Sequence, residues 1–266
     1  MKLYDKYADS LRVRIFGSRA EMGAQAAYDC AARIKKLLAV KNEINVVFAA
    51  APSQNEFLAS LLEQDIDFTR INAFHMDEYI GLPADAPQGF GNFLKEHIFS
   101  RAQFKSVNYI DSTASDPEAE CKRYAELLER FPIDIVCMGI GENGHIAFND
   151  PGTGMANFSD PLAVKPVTLD EICRRQQVND GCFEKLGDVP LYAITLTVPT
   201  LVSASHIFCV VPAATKAQAV YNTVNGTISA ECPASVLRLH RDAALYCDAE
   251  SGAGLLKEQT DDKPLA

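Results

Sequence analysis

Ile133-Asp134-Ile135-Val136-Cys137-Met138-Gly139-Ile140 runs directly into Gly141-Glu142-Asn143-Gly144-His145-Ile146-Ala147-Phe148-Asn149-Asp150-Pro151. The first half is short, β-branched and apolar without alternation, which is how a strand reads when it is covered on both faces. The second half is rich in Gly, Asn and Asp and therefore reads as a loop leaving that strand. A strand of this kind belongs to a largely parallel sheet, where polar residues just past the carboxyl end are placed to meet a ligand.

Working outward, the same alternation of short apolar runs and helical periodicity recurs. Ser18 and Glu21 form a capping-box pair opening a helix with Met22, Ala26, Cys30 and Ile34 on one face, ending near Lys36. Ile44 to Ala51 reads as a strand, and Ser53 with Glu56 as a second capping box starting a helix through Leu62. Ile71 to Met76 reads as a strand, with Phe93 to Phe99 and Glu118 to Arg130 as helices. Gly141 to Leu169 reads as a long functional loop or a set of short turns, followed by strands over Ala193 to Val198 and Ile207 to Val211. A helix from about Ala214 to Val224 is expected to stop at Asn225-Gly226 in a left-handed turn. The reading is an α/β fold, a largely parallel, Rossmann-like sheet with helices on both faces. One domain over 1–266 is expected, frayed from about Glu258.

Composition limits the function classes. The net charge of −10 argues against nucleic acid and against anionic membrane surfaces, since a polyanion is bound by clustered Lys and Arg. A small phosphate remains admissible, because a few cations and backbone N–H groups converging in one pocket suffice. The eight cysteines are scattered without a C-x-x-C pair or a zinc spacing, so they read as reduced thiols. With no signal-peptide core and no apolar run long enough to span a bilayer, the expected location is the cytoplasm.

Three clusters follow the three strongest strands. Ala51-Pro52-Ser53-Gln54 lies at a strand-to-helix junction, where free N–H groups favour an anion; equally, Ser53 only caps its own helix. His75-Met76-Asp77-Glu78-Tyr79 puts two carboxylates at a strand end, where one is placed to act as a general base or merely to cap a turn. The third cluster presents His145, a proton shuttle near neutral pH, beside Glu142 and Asp150. It also matches G-x-G-x-x-G, but Asn149-Asp150-Pro151-Gly152 would break the helix a dinucleotide site needs.

Taken together, His75-Met76-Asp77-Glu78-Tyr79-Ile80-Gly81-Leu82-Pro83 and Gly144-His145-Ile146-Ala147-Phe148-Asn149-Asp150-Pro151 resemble the two signature segments of the glucosamine-6-phosphate deaminase family, which is related to 6-phosphogluconolactonase. Lys216 and the Cys232-Pro233-Ala234-Ser235 run add to the likeness. The resemblance implies conversion of glucosamine 6-phosphate and water to fructose 6-phosphate and ammonia, without a metal or an organic cofactor. It implies Asp77 as the base that moves a proton from C2 to C1, and His145 as the group assisting ring opening, supported from the places of Asn143 and Asp150. Ser53, Gln54, Arg174 and Lys216 are implied as phosphate ligands, with Arg175 an alternative to Arg174. The partner is a small amino-sugar phosphate; homo-oligomers are common in that family.

Three departures stand out. Asn143 replaces an acid beside the His, and an amide orients an imidazole but does not stabilise its cation. Asp150 is one methylene shorter than the family's Glu, and Ala49-Ala50-Ala51 replaces a Gly-rich phosphate loop. These suggest a divergent member acting on the same class of substrate, with galactosamine 6-phosphate as an alternative epimer. A lactone hydrolase and a non-catalytic sugar-phosphate sensor are the rival readings.

Overall fold

The computed structural model describes residues 1–152 and 156–261. It opens with a hairpin, β1 (Lys2–Ala8) and β2 (Leu11–Phe16), then α1 (Arg19–Leu38), β3 (Ile44–Phe48), α2 (Asn55–Leu62), β4 (Ile71–His75) and β5 (Asp77–Tyr79). Next come α3 (Phe90–Leu94), β6 (Ser106–Asn108), α4 (Pro117–Arg130), β7 (Ile135–Met138), β8 (Val164–Thr168) and α5 (Glu171–Asn179). The chain continues through β9 (Tyr192–Leu196), α6 (Val198–Val202), β10 (His206–Val211), α7 (Ala217–Asn225), β11 (Ala243–Cys247) and α8 (Ala253–Asp261).

Eight strands form one sheet in the order β1-β2-β11-β10-β7-β3-β4-β6. Only β1 runs antiparallel; every other neighbouring pair is parallel. From β3 the chain winds outward through β4 to β6, then returns to place β7 on the other side of β3 and winds away through β10 and β11. The direction of winding therefore reverses between β3 and β7, and the crevice at their carboxyl ends is where an open α/β sheet takes its ligand.

Burial explains why the central strands are apolar throughout. All residues of β3, β4 and β7 are buried. Val47, Phe74, Val136, Met138 and Cys209 enter one core layer, and their chain neighbours Val46, Phe48, Ala73, Ile135, Cys137 and Phe208 enter the other. Alternation survives, but both phases face hydrophobic layers. α1 begins as expected: Ser18 Oγ accepts from the Glu21 N–H at 3.2 Å, and Glu21 Oε2 accepts from the Gly17 N–H at 3.1 Å. All eight cysteines are free thiols, and among the described residues no helix is long and apolar enough to cross a membrane.

Three local readings change. Ser53 does not cap α2, because a 3-10 turn over Pro52–Gln54 precedes that helix and the Glu56 carboxylate is taken by Arg19. The region Gly141 to Leu169 contains β8, which its polar residues conceal; it edges a small antiparallel sheet, β5-β9-β8, and Pro166 sits exposed on that edge, where no ladder N–H is required. Gly226 ends α7 in an extended conformation, φ −75° and ψ 177°, not a left-handed one. At the C-terminus α8 carries Glu258, which accepts hydrogen bonds from Tyr221 and Asn225; residues 262–266 lie outside the described ones. The hairpin β1-β2 and β11 gave no clear sequence signal, the first because an edge strand needs only one covered face.

α1 and α2 cross at Gly23, where an added Cβ would lie 2.7 Å from Glu56 Cβ and 2.8 Å from the Glu56 carbonyl carbon. Gly23→Ala is expected to destabilise the fold by about 1–3 kcal/mol through forced separation of the helices, read as a lower urea midpoint at unchanged m-value.

Candidate active site

A cleft opens at the reversal point, walled by Ala49 to Ala51, Ser53 and Gln54 after β3, Met76 and Asp77 after β4, and Gly139 to Gly141 after β7. His145, Ala147 and Phe148 from the following loop, Gln176 and Gln177 from α5, and Lys216 ahead of α7 complete it.

The adjacent carboxylates divide their tasks because strand neighbours face opposite ways. Asp77 lines the cleft, and Glu78 turns to accept from the Tyr79, Phe90 and Gly91 N–H groups at 2.8–3.0 Å, closing the start of α3. Burial pushes Asp77 well above the usual carboxylate range, and the neighbouring charge of Glu78 adds to the rise. A carboxyl of raised pKa is a stronger base once ionised. Asp77 is fixed from behind: β5 pairs with β9 at Asp77↔Thr195, and the Met76 carbonyl accepts from the Leu196 N–H at 2.8 Å. His75, by contrast, is core. Its Nε2 accepts from the Ile110 N–H, and burial pulls its pKa down to about 4.

His145 is held by a relay of short bonds. Its Nδ1 lies 2.7 Å from Asn143 Oδ1 and 3.1 Å from Asp150 Oδ1, while Asn143 Nδ2 donates to that same Asp150 oxygen at 3.0 Å. The Asn143 oxygen also accepts from the His145 backbone N–H at 3.1 Å. An amide oxygen accepts only, so Nδ1 carries the hydrogen and Nε2 is the ring nitrogen left for other partners. Burial works to raise the Asp150 carboxyl, but bonds from His145, Asn143 and the Asp170 N–H outweigh it and hold Asp150 below the usual carboxylate range. An ionised, fully buried carboxylate therefore stands behind the imidazole. The ring lies flat on Gly141, where an added Cβ would come within 2.3 Å of Nδ1 and Nε2.

At the other end, the Lys216 ammonium is buried and makes no hydrogen bond among the described residues; its nearest counter-charge is Glu142 Oε1 at 3.7 Å. Burial lowers its pKa, opposed by Asp180 and Glu142. A cation left this way in a cleft wall favours an incoming anion. Gln54 reaches both Ser53 Oγ, at 3.1 Å, and the Val210 carbonyl, at 3.0 Å, so it ties the β3 loop to β10. Arg174 is elsewhere. Its guanidinium donates to the Leu186 and Val189 carbonyls, and Arg175 pairs with Glu171 at the surface, so neither arginine lines the cleft. The helical turn instead presents Gln176 and Gln177, which no pattern in the sequence singled out; Gln176 accepts from the Glu142 N–H at 2.8 Å. Among the described residues, His145, Asp150 and Cys173 bring ligand atoms within 4.8 Å of one another, a spacing a metal ion tolerates. The imidazole and carboxylate are already bonded to each other and to Asn143, and burial holds the Cys173 thiol well above its ordinary pKa. The arrangement reads as a hydrogen-bonded cluster.

Residues 17–164 match the family model described as glucosamine-6-phosphate isomerases/6-phosphogluconolactonase. The chain belongs to this family. It is 37% identical over 212 residues to a glucosamine-6-phosphate deaminase of Listeria monocytogenes serotype 4a, covering 79% of this chain and 88% of that one. It is 34% identical over 203 residues to one from Streptococcus sanguinis, covering 76% and 83%. Among solved structures, a monomeric glucosamine-6-phosphate deaminase superposes with a TM-score of 0.83 at 29% identity, covering 91% of this chain and 98% of that chain. A 6-phosphogluconolactonase from Thermotoga maritima shares the fold, with a TM-score of 0.72 at 20% identity over 90% and 99% of the two chains.

The Asn143 bridge is testable by stability alone. Asn143→Leu keeps the volume but leaves the His145 backbone N–H without its acceptor, takes one of the two acceptors from the ring Nδ1–H and removes a donor from buried Asp150. A loss of about 1–3 kcal/mol in urea denaturation is expected.

Proposed function

We propose that the protein deaminates and isomerises an amino-sugar 6-phosphate, converting glucosamine 6-phosphate and water to fructose 6-phosphate and ammonia. The observation that carries this reading is that one cleft joins a buried carboxylate of raised pKa, an imidazole fixed through Nδ1 and an ammonium without a hydrogen-bond partner. The deaminase names of the relatives support the substrate class.

In this reading the 6-phosphate sits against Lys216 and the Ser53 end of the cleft. His145 Nε2 accepts the O1 proton and returns it to the ring oxygen, opening the pyranose; the ionised Asp150, acting through Nδ1, favours the transient imidazolium. Asn143 fixes the ring's orientation without adding charge. Asp77 then removes the C2 proton and delivers it to C1 through an enolamine. Water adds to the resulting C2 iminium, and ammonia leaves with the ketone in place. The substrate's ammonium brings a positive charge to Asp77, which favours the ionised base on binding.

The test is a panel of both C4 epimers of the 2-amino-6-phosphate, together with 6-phosphogluconolactone, with ammonia and ketose 6-phosphate measured in parallel. Lactone hydrolysis without ammonia release would replace the proposal. Asp77→Asn is expected to lower turnover by about 10²–10⁴-fold. The same variant should be more stable at pH 7. A carboxyl whose folded pKa is raised binds more protons folded than unfolded, so its contribution to stability falls as pH rises from the unfolded to the folded value. Each kcal/mol recovered raises the melting temperature by roughly 2–4 °C in a protein of this size. For the wild type, kcat/KM should fall on the acid side along a limb set by Asp77, lying well above the ordinary carboxylate value.

A further inference from the structure

Most polar side chains in the cleft wall are already committed within the protein. Gln54 holds Ser53 and the Val210 carbonyl, His145 holds Asn143, and Gln176 accepts from the Glu142 N–H and donates to Asp180. Among the described residues, three lining side chains make no hydrogen bond: Asp77, Lys216 and Gln177. The first two have work in the reaction above. Gln177 does not. It is 7% exposed, and only its backbone carbonyl is used, accepting from the Cys182 N–H at 2.9 Å. Its carboxamide, lining the cleft and bonded to nothing within the chain, keeps both its donor and its acceptor open toward that space. Such a group at a cleft wall is prepared for a ligand that brings its own donor and acceptor.

We propose that Gln177 is the third substrate contact and a specificity residue of this site, taking a sugar hydroxyl with its carboxamide. The chemistry selects the partner. Lys216 is suited to an anion and Asp77 to a proton or a cation, but a neutral amide that both donates and accepts matches a hydroxyl, which does the same. Three unlike contacts also distinguish stereoisomers, which two cannot. A site built to hydrogen-bond a hydroxyl discriminates strongly against analogues lacking it, because the bound analogue then covers the amide without pairing it. The assignment rests on the reading of the cleft as a sugar-phosphate site.

The experiment compares wild type with Gln177→Met in two assays. The first is thermal shift with inorganic phosphate and with glucitol 6-phosphate, an open-chain polyol phosphate that cannot be deaminated. The second is kcat/KM for the amino-sugar phosphate. Expected for Gln177→Met are an unliganded melting temperature equal to or above wild type and an unchanged shift with phosphate. The additional shift given by glucitol 6-phosphate should be lost, and kcat/KM should fall about 10- to 100-fold, the range for one or two neutral hydrogen bonds. A lower unliganded melting temperature would make the amide structural and overturn the proposal, as would an undiminished response to glucitol 6-phosphate. If wild type turns over no amino-sugar phosphate while its glucitol 6-phosphate response still depends on Gln177, the deaminase reading fails and the assignment of Gln177 stands.

Discussion

β3 and β7 lie side by side in the same direction, with Val46 opposite Ile135 and Phe48 opposite Cys137, so both strands end at one level. One winds its successors toward β6 and the other toward β11. No crossover helix covers the carboxyl end of this pair, because the two following connections leave in opposite directions. The gap is therefore a consequence of the winding order, and the apolar layers on both sheet faces keep it rigid. Asp77, His145, Ser53 and Lys216 leave from different strands, yet all reach this opening.

The cleft and the shell behind it use their polar groups differently. Glu78, behind the cleft, takes three N–H groups. Inside the cleft, Asp77, Lys216 and Gln177 make no side-chain hydrogen bond among the described residues, and Lys216 has only Glu142 at 3.7 Å for a counter-charge. A buried ammonium held this loosely is costly to the folded state. The Asn143 bridge follows a related logic. By spending an amide instead of a second carboxylate between His145 and Asp150, the chain fixes the imidazole while keeping a single buried negative charge behind it. That arrangement avoids two carboxylates in mutual contact, one of which would have to be protonated.

Much of this was legible in the residues. The apolar runs at Ile44, Ile71, Ile133 and Ile207 became β3, β4, β7 and β10, since a strand covered on both faces has nowhere to place a charge. Asp77 and His145 could be singled out because they follow such strands. Arg174 and Gln177 show the limit. The resemblance implied Arg174, with Arg175 as the alternative, as a phosphate ligand, but a helix turns 100° per residue, and α5 packs so that Arg174 meets the Leu186 and Val189 carbonyls while the glutamines reach the cleft. β8 escaped notice for a similar reason: an edge strand needs neither an unbroken apolar run nor every N–H.

By itself, then, the amino-acid order determined the class of fold, the acidic and thiol-rich character of the chain and the placement of Asp77 and His145 just past the ends of apolar strands, because those depend on local pattern and on which residue follows which strand. Only the tertiary structure decided which residues of α5 line the cleft, which of Asp77 and Glu78 faces it, and which carboxamide there makes no bond within the chain. Those are questions of contact between segments remote in sequence, and they are settled by packing rather than by the residues' own preferences.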